Sequence, residues 1–229
     1  MGKSDFNGFS LELKRFYQEL EKNNNKDWFQ ANKSRYEEIV REPAKEFVYE
    51  MGLRFAKLGL PYYADPKKSL FRINRDIRFS ANKEPYKTNF GVLFPYKFIN
   101  QAAKAVEAPG LYFHIDSKET FIAGGLHIPS NEKLKVLREL IAEKWKELKK
   151  VLNNKKFTEE FPSILNDDSL KTMPRGYESD HPAAEWLKLK GYTVGCNLQF
   201  KDAFGPKLME ILEKKGKVIA PFLEFLSQV

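Results

Sequence analysis

Apolar positions in the first sixty residues recur at helical spacing. Leu13, Phe16, Tyr17 and Leu20 share one face of a segment whose candidate N-cap is Ser10, and Asn23, Asn24 and Asn25 then break it. A second helix is predicted from near Asp27, with Trp28, Phe29, Tyr36 and Ile39 as its apolar stripe. Pro43 marks the start of a third, which carries Phe47, Met51, Phe55 and Leu58 until Gly59 stops it. From Ser69 the period changes to two. Phe71, Ile73, Ile77 and Phe79 then form one face of a predicted strand, and Arg72, Asn74, Asp76 and Arg78 form the other. Further strands are predicted at 90–98, 111–116, 120–127 and 192–199, and long amphipathic helices at 131–152 and 207–226.

These elements predict an α+β fold, a mainly antiparallel sheet with N-terminal and C-terminal helices packed on it. Residues 1–229 are read as one domain: helical over 9–59, sheet-rich over 69–128, then helical again around the short strand at 192–199. No internal repeat or linker interrupts it. At 229 residues and 42% hydrophobic, the chain is long enough and apolar enough to bury one sizeable core. Its one cysteine, Cys196, excludes an internal disulfide framework and reads as a small buried hydrophobe. No stretch of 18 apolar residues and no apolar leader is present, so no membrane contact and a cytoplasmic location are expected.

The formal charge of +8 is concentrated rather than spread. Residues 67–104 hold nine Lys or Arg against Asp76 and Glu84, a net +7. A focused positive field attracts phosphates, nucleic-acid backbones or acidic partners, whereas a solvated basic face binds nothing in particular.

Within that stretch the pleat places Arg72, Asp76 and Arg78 on one surface, and the turn formers from Ser80 to Lys87 bring Lys83 and Lys87 nearby. The guanidinium groups offer forks for phosphate or carboxylate, the lysines are mobile point charges, and Tyr86 supplies a hydroxyl or a stacking surface. The competing reading is a ladder in which Arg72 and Arg78 flank Asp76 and pair with acids on neighbouring strands. Arg75 breaks the apolar face, where an unpaired guanidinium is costly, so it is expected to meet a carboxylate or a bound anion.

Longer strings carry a resemblance. NNNKDWFQANKSRYEEIVREP, SLFRINRDIRFSANKEPYKTNFG, GLYFHID with FIAGGLHIP, and MPRGYESDHPAAEWLKLKGY together resemble the conserved, uncharacterised domain-of-unknown-function family 2461 over almost the whole chain. The central string from Arg72 to Lys87 is its most specific part. The resemblance implies membership but brings no reaction, ligand or catalytic residue with it.

A second constellation is Arg175, Gly176, Tyr177, Asp180, His181 and Pro182. Asp180 reads as an N-cap with Pro182 in the first helical turn; at such a terminus a neutral His181 is able to act as a proton acceptor. Walker, dinucleotide, nucleophile-elbow, HExxH and paired CxxC motifs are all missing, so no cofactor is expected. Gly124-Gly125 reads as relief of crowding in a strand. His114 and Asp116 share a strand face, but if His114 pairs near Ile122 or Ala123, His127 lies about 13–17 Å further along. Two ligands without a third make no metal site, and none is expected.

Three functional readings remain. The first is a module that binds a phosphorylated small molecule or a nucleic-acid backbone through Arg72, Arg75, Arg78, Lys83, Tyr86, Lys87 and Arg175. The second is an enzyme on an anionic substrate with His181 or Asp76 as proton carrier, which requires a cleft joining the two constellations. The third is a structural or protein-interaction domain in which each arginine is braced by an acid.

Overall fold

The computed structural model describes residues 6–78, 80–97, 107–165 and 169–229. Phe79, Lys104 and the end of the strand predicted at 90–98 lie outside them.

Helix α1 (Leu11–Lys22) buries Leu13, Phe16, Tyr17 and Leu20, the face its spacing predicts, with Ser10 at the N-cap position. The asparagines after it do more than break it. Asn25 caps α2 (Lys26–Ala31) by accepting the Trp28 N–H at 2.9 Å, and the Asn24 amide pairs with both backbone groups of Tyr86, at 3.0 and 3.1 Å. Helix α3 (Lys33–Tyr36) then runs through a π-turn at Glu37–Arg41 into α4 (Glu42–Lys57). In that turn the Glu42 N–H donates to the Glu37 carbonyl, five residues back. Pro43 follows directly and has no N–H to offer Ile39, so the ordinary ladder cannot close there.

The sheet contains β1 (Asn89–Pro95), β2 (Gly110–Asp116), β3 (Thr120–Leu126), a short β4 (Ser163–Ile164) and β5 (Tyr192–Asn197). Its order is β1-β2-β3-β5-β4, with every one of these pairings antiparallel. Helix α5 (Asn131–Leu152) has the bounds that its periodicity predicts. The short α6 (Lys155–Glu160), α7 (Ala184–Leu187) and α8 (Phe200–Ala203) fall below the length at which periodicity is visible, and α9 (Lys207–Leu226) closes the chain, again as predicted. Among the described residues no helix is long and apolar enough to cross a membrane.

Pleating sorts β2 into two faces. Leu111, Phe113 and Ile115 are fully buried toward the helices, while Tyr112, His114 and Asp116 point to the opposite side. On the helical side Phe9 lies 4.9 Å from Phe90, Phe47 lies 5.7 Å from Phe113, and Phe55 lies 5.3 Å from Phe94. Each such ring contributes about 1.5–3 kcal/mol by leaving water, which makes this aromatic layer between α4 and the sheet a major part of the core. Lys215, nearly buried on α9, is held by the Glu160 carboxylate at 2.9 Å and so ties α6 to α9.

The strand expected from Ser69 is corrected by the structure. Residues 69–75 form an extended strap along the free edge of β1, with isolated bridges at Leu70–Val92 and Asn74–Tyr86. The Leu93 N–H donates to the Ser69 carbonyl and the Phe71 N–H to that of Gly91; then Lys87 donates to Ile73 and Arg75 to Pro85. Between the second and third of these bonds the pairing slips by two residues. The slip breaks the parity: Leu70 and Ile73 both pack on the core, while Phe71 turns its edge to Tyr112 on the other face, 5.8 Å away. Beyond Arg75 the chain leaves β1 altogether.

Gly125 fixes the β3–β5 register. Its φ is +129°, and a Cβ there would lie 1.8 Å from the Tyr192 carbonyl oxygen, a backbone atom that cannot step aside. Gly125→Ala is therefore expected to cost at least about 3 kcal/mol, combining overpacking with a left-handed backbone. Urea unfolding that places the variant within 1 kcal/mol of the wild type would mean that this pairing is misassigned.

Candidate functional site

Helices α2 to α4 and the strap enclose a cleft of about 500 Å³ at the edge of β1. Its floor is aromatic: Tyr17, Phe29, Tyr36, Tyr86 and Phe90. Its rim carries Lys33, Arg41, Lys45, Lys67 and Arg72 against Glu37, five cations to one carboxylate, a formal +4. Two of the five are already matched, Arg41 by Glu37 at 2.9 Å and Lys45 by Glu42 at 2.6 Å. Arg72, Lys33 and Lys67 make no ion pair among the described residues.

The walls are held from outside the cleft. Tyr86 stacks on Phe29 with centroids 4.1 Å apart, and its backbone is pinned by Asn24. Its ring is thus a built-in wall of the cleft, not the free stacking surface expected from sequence. The π-turn supplies Glu37, Val40 and Arg41 to the opposite wall. Burial pushes the Tyr36 phenol up to about 12 and the Tyr17 phenol well above the ordinary tyrosine range, so both keep their protons at neutral pH. Neither hydroxyl has a hydrogen-bond partner among the described residues, and Tyr17 is only 1% exposed. The cleft therefore offers cations at the rim and neutral O–H donors in the floor.

The arginines expected to act together part company. Arg78 grips Asp76 with two hydrogen bonds, 3.0 Å from Nε to Oδ1 and 2.7 Å to Oδ2, which holds that carboxyl down at about 2. Both side chains are exposed, and the pair is local rather than cross-strand. Arg75 meets Glu84 at 3.7 Å, the carboxylate its place in the pattern calls for. Lys83 donates to the Ile77 carbonyl at 3.0 Å, so its charge too is used locally. Bracing thus describes Arg75 and Arg78, while Arg72 alone of the three faces the cleft. Lys87 lies beside it, 5.0 Å over the Phe71 ring. Sequence reasoning missed Lys33, Arg41 and Lys45, and counted Lys67 in the basic stretch without giving it a place in the site. Lys33 and Tyr36 stand three apart on one helical face, a signal that was available but reads equally as a solvated flank.

The second constellation does not join this cleft. His181 lines a separate hollow of about 510 Å³ with Trp145, Leu148, Lys149 and Trp186, and none of residues 72–87 lines it. The expected cap is also corrected: α7 begins at Ala184, and it is the His181 ring, through Nδ1, that accepts the Ala183 N–H at 3.0 Å. Pro182 lies before the helix, and Asp180 and Arg175 are exposed in the preceding loop.

The β2–β3 hairpin places the histidines differently from expectation. His114 pairs with Phe121, which leaves His127 about 20 Å further along β3. The third group beside His114 and Asp116 is instead Glu119, from the turn. On the same sheet face, Phe71, Leu93, Tyr112, Phe121 and Leu165 line an apolar hollow of about 560 Å³.

The model of the family described as conserved hypothetical protein (DUF2461) matches residues 12–225, and the chain belongs to that family. No curated protein and no solved structure matches it.

Lys87 reports on the crowding of cations. Burial, then Arg72 and Arg75, hold its ammonium below the ordinary lysine range. The unfolded chain therefore binds this proton more readily than the folded one, so stability rises with pH through the window between the folded value and the ordinary 10.5. Below that window the cost is present in full. Lys87→Met, which keeps the stem over Phe71, should melt higher than the wild type at pH 7, and the gap should shrink toward pH 10.5. A lower melting temperature at pH 7 would show that the ammonium is stabilised by a partner.

Proposed function

We propose that this member of the family binds a small phosphate-bearing ligand with a planar apolar body in the cleft between α2–α4 and the strap. The observation that carries the reading is the convergence of Arg72, Lys33 and Lys67, which make no ion pair among the described residues, on a cleft floored by the protonated phenols of Tyr17 and Tyr36. A guanidinium fork and two ammonium groups suit a phosphate, and the floor suits a ring. The cleft volume fits one small molecule of this kind. This favours a phosphorylated small molecule over a nucleic-acid backbone, which needs an open track of cations.

Binding is favoured over catalysis for two reasons. Asp76 is locked by Arg78, and His181 lines a different hollow, so neither proposed proton carrier reaches the anion that Arg72 would hold. Bracing accounts for Arg75 and Arg78 but leaves Arg72 without a role.

Phenyl phosphate, inorganic phosphate and phenol are the probes, with melting temperature at low salt as the readout. Phenyl phosphate is expected to raise it most, inorganic phosphate less, and phenol little, with the gains falling as salt is added. Arg72→Ala should abolish the phosphate-dependent gains while changing the empty protein by less than about 0.5 kcal/mol, as an exposed unpaired side chain does. If no phosphate compound stabilises the wild type, or if Arg72→Ala costs several kcal/mol, the guanidinium is structural and the proposal fails. A short single-stranded oligonucleotide that stabilises where phenyl phosphate does not would move the reading to nucleic acid.

A further inference from the structure

We infer that the β2–β3 hairpin carries a divalent transition-metal site formed by His114, Asp116 and Glu119. The inference is independent of the anion cleft. The His114 ring nitrogen and the two carboxylates offer ligand atoms that all lie within 4.8 Å of one another, with His114 Nε2 3.3 Å from Asp116 Oδ2. Ligand atoms on a tetrahedron with bonds of about 2.1 Å stand about 3.4 Å apart. The His114–Asp116 pair therefore already has the spacing of two ligands on one ion, and Glu119, exposed on the turn, has to swing in by at most about 1.4 Å.

Two of the three ligands are held in place from behind. Asp116 Oδ1 accepts the backbone N–H groups of Lys118 and Glu119, at 2.6 and 2.7 Å, which leaves Oδ2 for the ion. The His114 ring stacks on Phe121 with centroids 4.4 Å apart and planes 14° from parallel. Its Nδ1 lies 3.1 Å from the Tyr112 hydroxyl and 3.4 Å from the Asn89 amide, so the nitrogen turned away from the carboxylates is the one the protein occupies. Metal-ligating histidines usually donate their other ring N–H to an acceptor, and with Nε2 toward the ion the Tyr112 hydroxyl oxygen is that acceptor. Room for the Tyr112 hydroxyl exists because residue 91 is glycine: a Cβ there would lie 2.6 Å from it.

The charges point the same way. Asp116 and Glu119 approach each other with Glu119 making no ion pair among the described residues, and the turn's own lysine, Lys118, is directed to Glu21 at 3.9 Å. One imidazole and two carboxylates form a borderline nitrogen–oxygen set that suits Zn²⁺ or Mn²⁺. Three protein ligands leave at least one position to water, the open arrangement of a reactive site and not the closed one of a structural zinc.

The test is calorimetric titration of the chelator-stripped full chain with ZnCl₂ and MnCl₂, accompanied by melting temperature. One ion is expected to bind per chain and to raise the melting temperature. Glu119→Gln, an exposed change that leaves the fold intact, should weaken binding at least tenfold, as should His114→Gln. Tyr112→Phe, which removes only the support behind the ring, should weaken it about tenfold. His127→Ala and Cys196→Ser should leave it unchanged. The inference is overturned if neither ion binds, in which case His114 and Asp116 form a plain surface pair bridged by a proton, or if binding survives Glu119→Gln undiminished.

Discussion

The free edge of β1 has to be covered. An edge strand with unpaired N–H and C=O groups invites other chains to pair with it, and β1 carries a long apolar sequence. This protein covers the edge with its own strap, which makes two backbone hydrogen bonds to Gly91 and Leu93 of β1 and two more to Pro85 and Lys87 just ahead of it. Much of the site geometry follows from that solution. The two-residue slip midway along the strap sends Leu70 and Ile73 into the core and Phe71 to the far face, and Arg72, at the slip, is presented to the cleft instead of to a neighbouring strand. A regular strand would have lined its arginines up on one surface.

The basic stretch is consequently not one cluster but two local arrangements, the self-paired residues from Arg75 to Glu84 and the neighbours Arg72 and Lys87. After Arg75 the chain has left β1, and the turn to Glu84 satisfies itself: Asp76 takes Arg78, Glu84 takes Arg75, and Lys83 takes a carbonyl. Exposed pairs of this kind stabilise little, and their effect is to use up charge locally. Lys87 is drawn back beside Arg72 by the second half of the edge pairing, where it lies partly buried over Phe71. The formal +7 of the sequence thus overstates the free cations of the strap. The cleft takes Lys67 from the same stretch and adds Lys33, Arg41 and Lys45, which the fold and not the chain order brings near Arg72.

Legibility in the sequence tracks the kind of interaction that fixes each element. Helices α1, α5 and α9 are set by the helical spacing of their apolar residues, β2 by alternation, and β1, β3 and β5 by short apolar runs between turn formers, so their bounds are readable to within a few residues. The strap was misread because its exposure does alternate from Arg72 to Arg78 while its hydrogen bonds do not continue; period reports exposure, not pairing. At α7 the sequence misleads because the His181 ring, not the Asp180 carboxylate, accepts the Ala183 N–H ahead of the helix. Glu119 was overlooked because a turn residue is placed by the turn, in which Asp116 gathers the N–H groups of Lys118 and Glu119, and no face-counting along a strand reaches it.

The cleft gathers its cations on walls that do not part easily, since the Phe29–Tyr86 stack, the Asn24 clasp and the π-turn fix them. Arg72 makes no ion pair among the described residues, and its charge reaches outward to Lys87, whose ammonium is held low first by burial and then by Arg72 and Arg75. An anion lying against Arg72 would offset that charge where no carboxylate of the protein does, and the protonated phenols of Tyr17 and Tyr36 would face its acceptors. The rigidity of the walls is what would make such occupation selective, because a ligand without negative charge leaves the cations unmatched and one without an acceptor leaves the phenols unused.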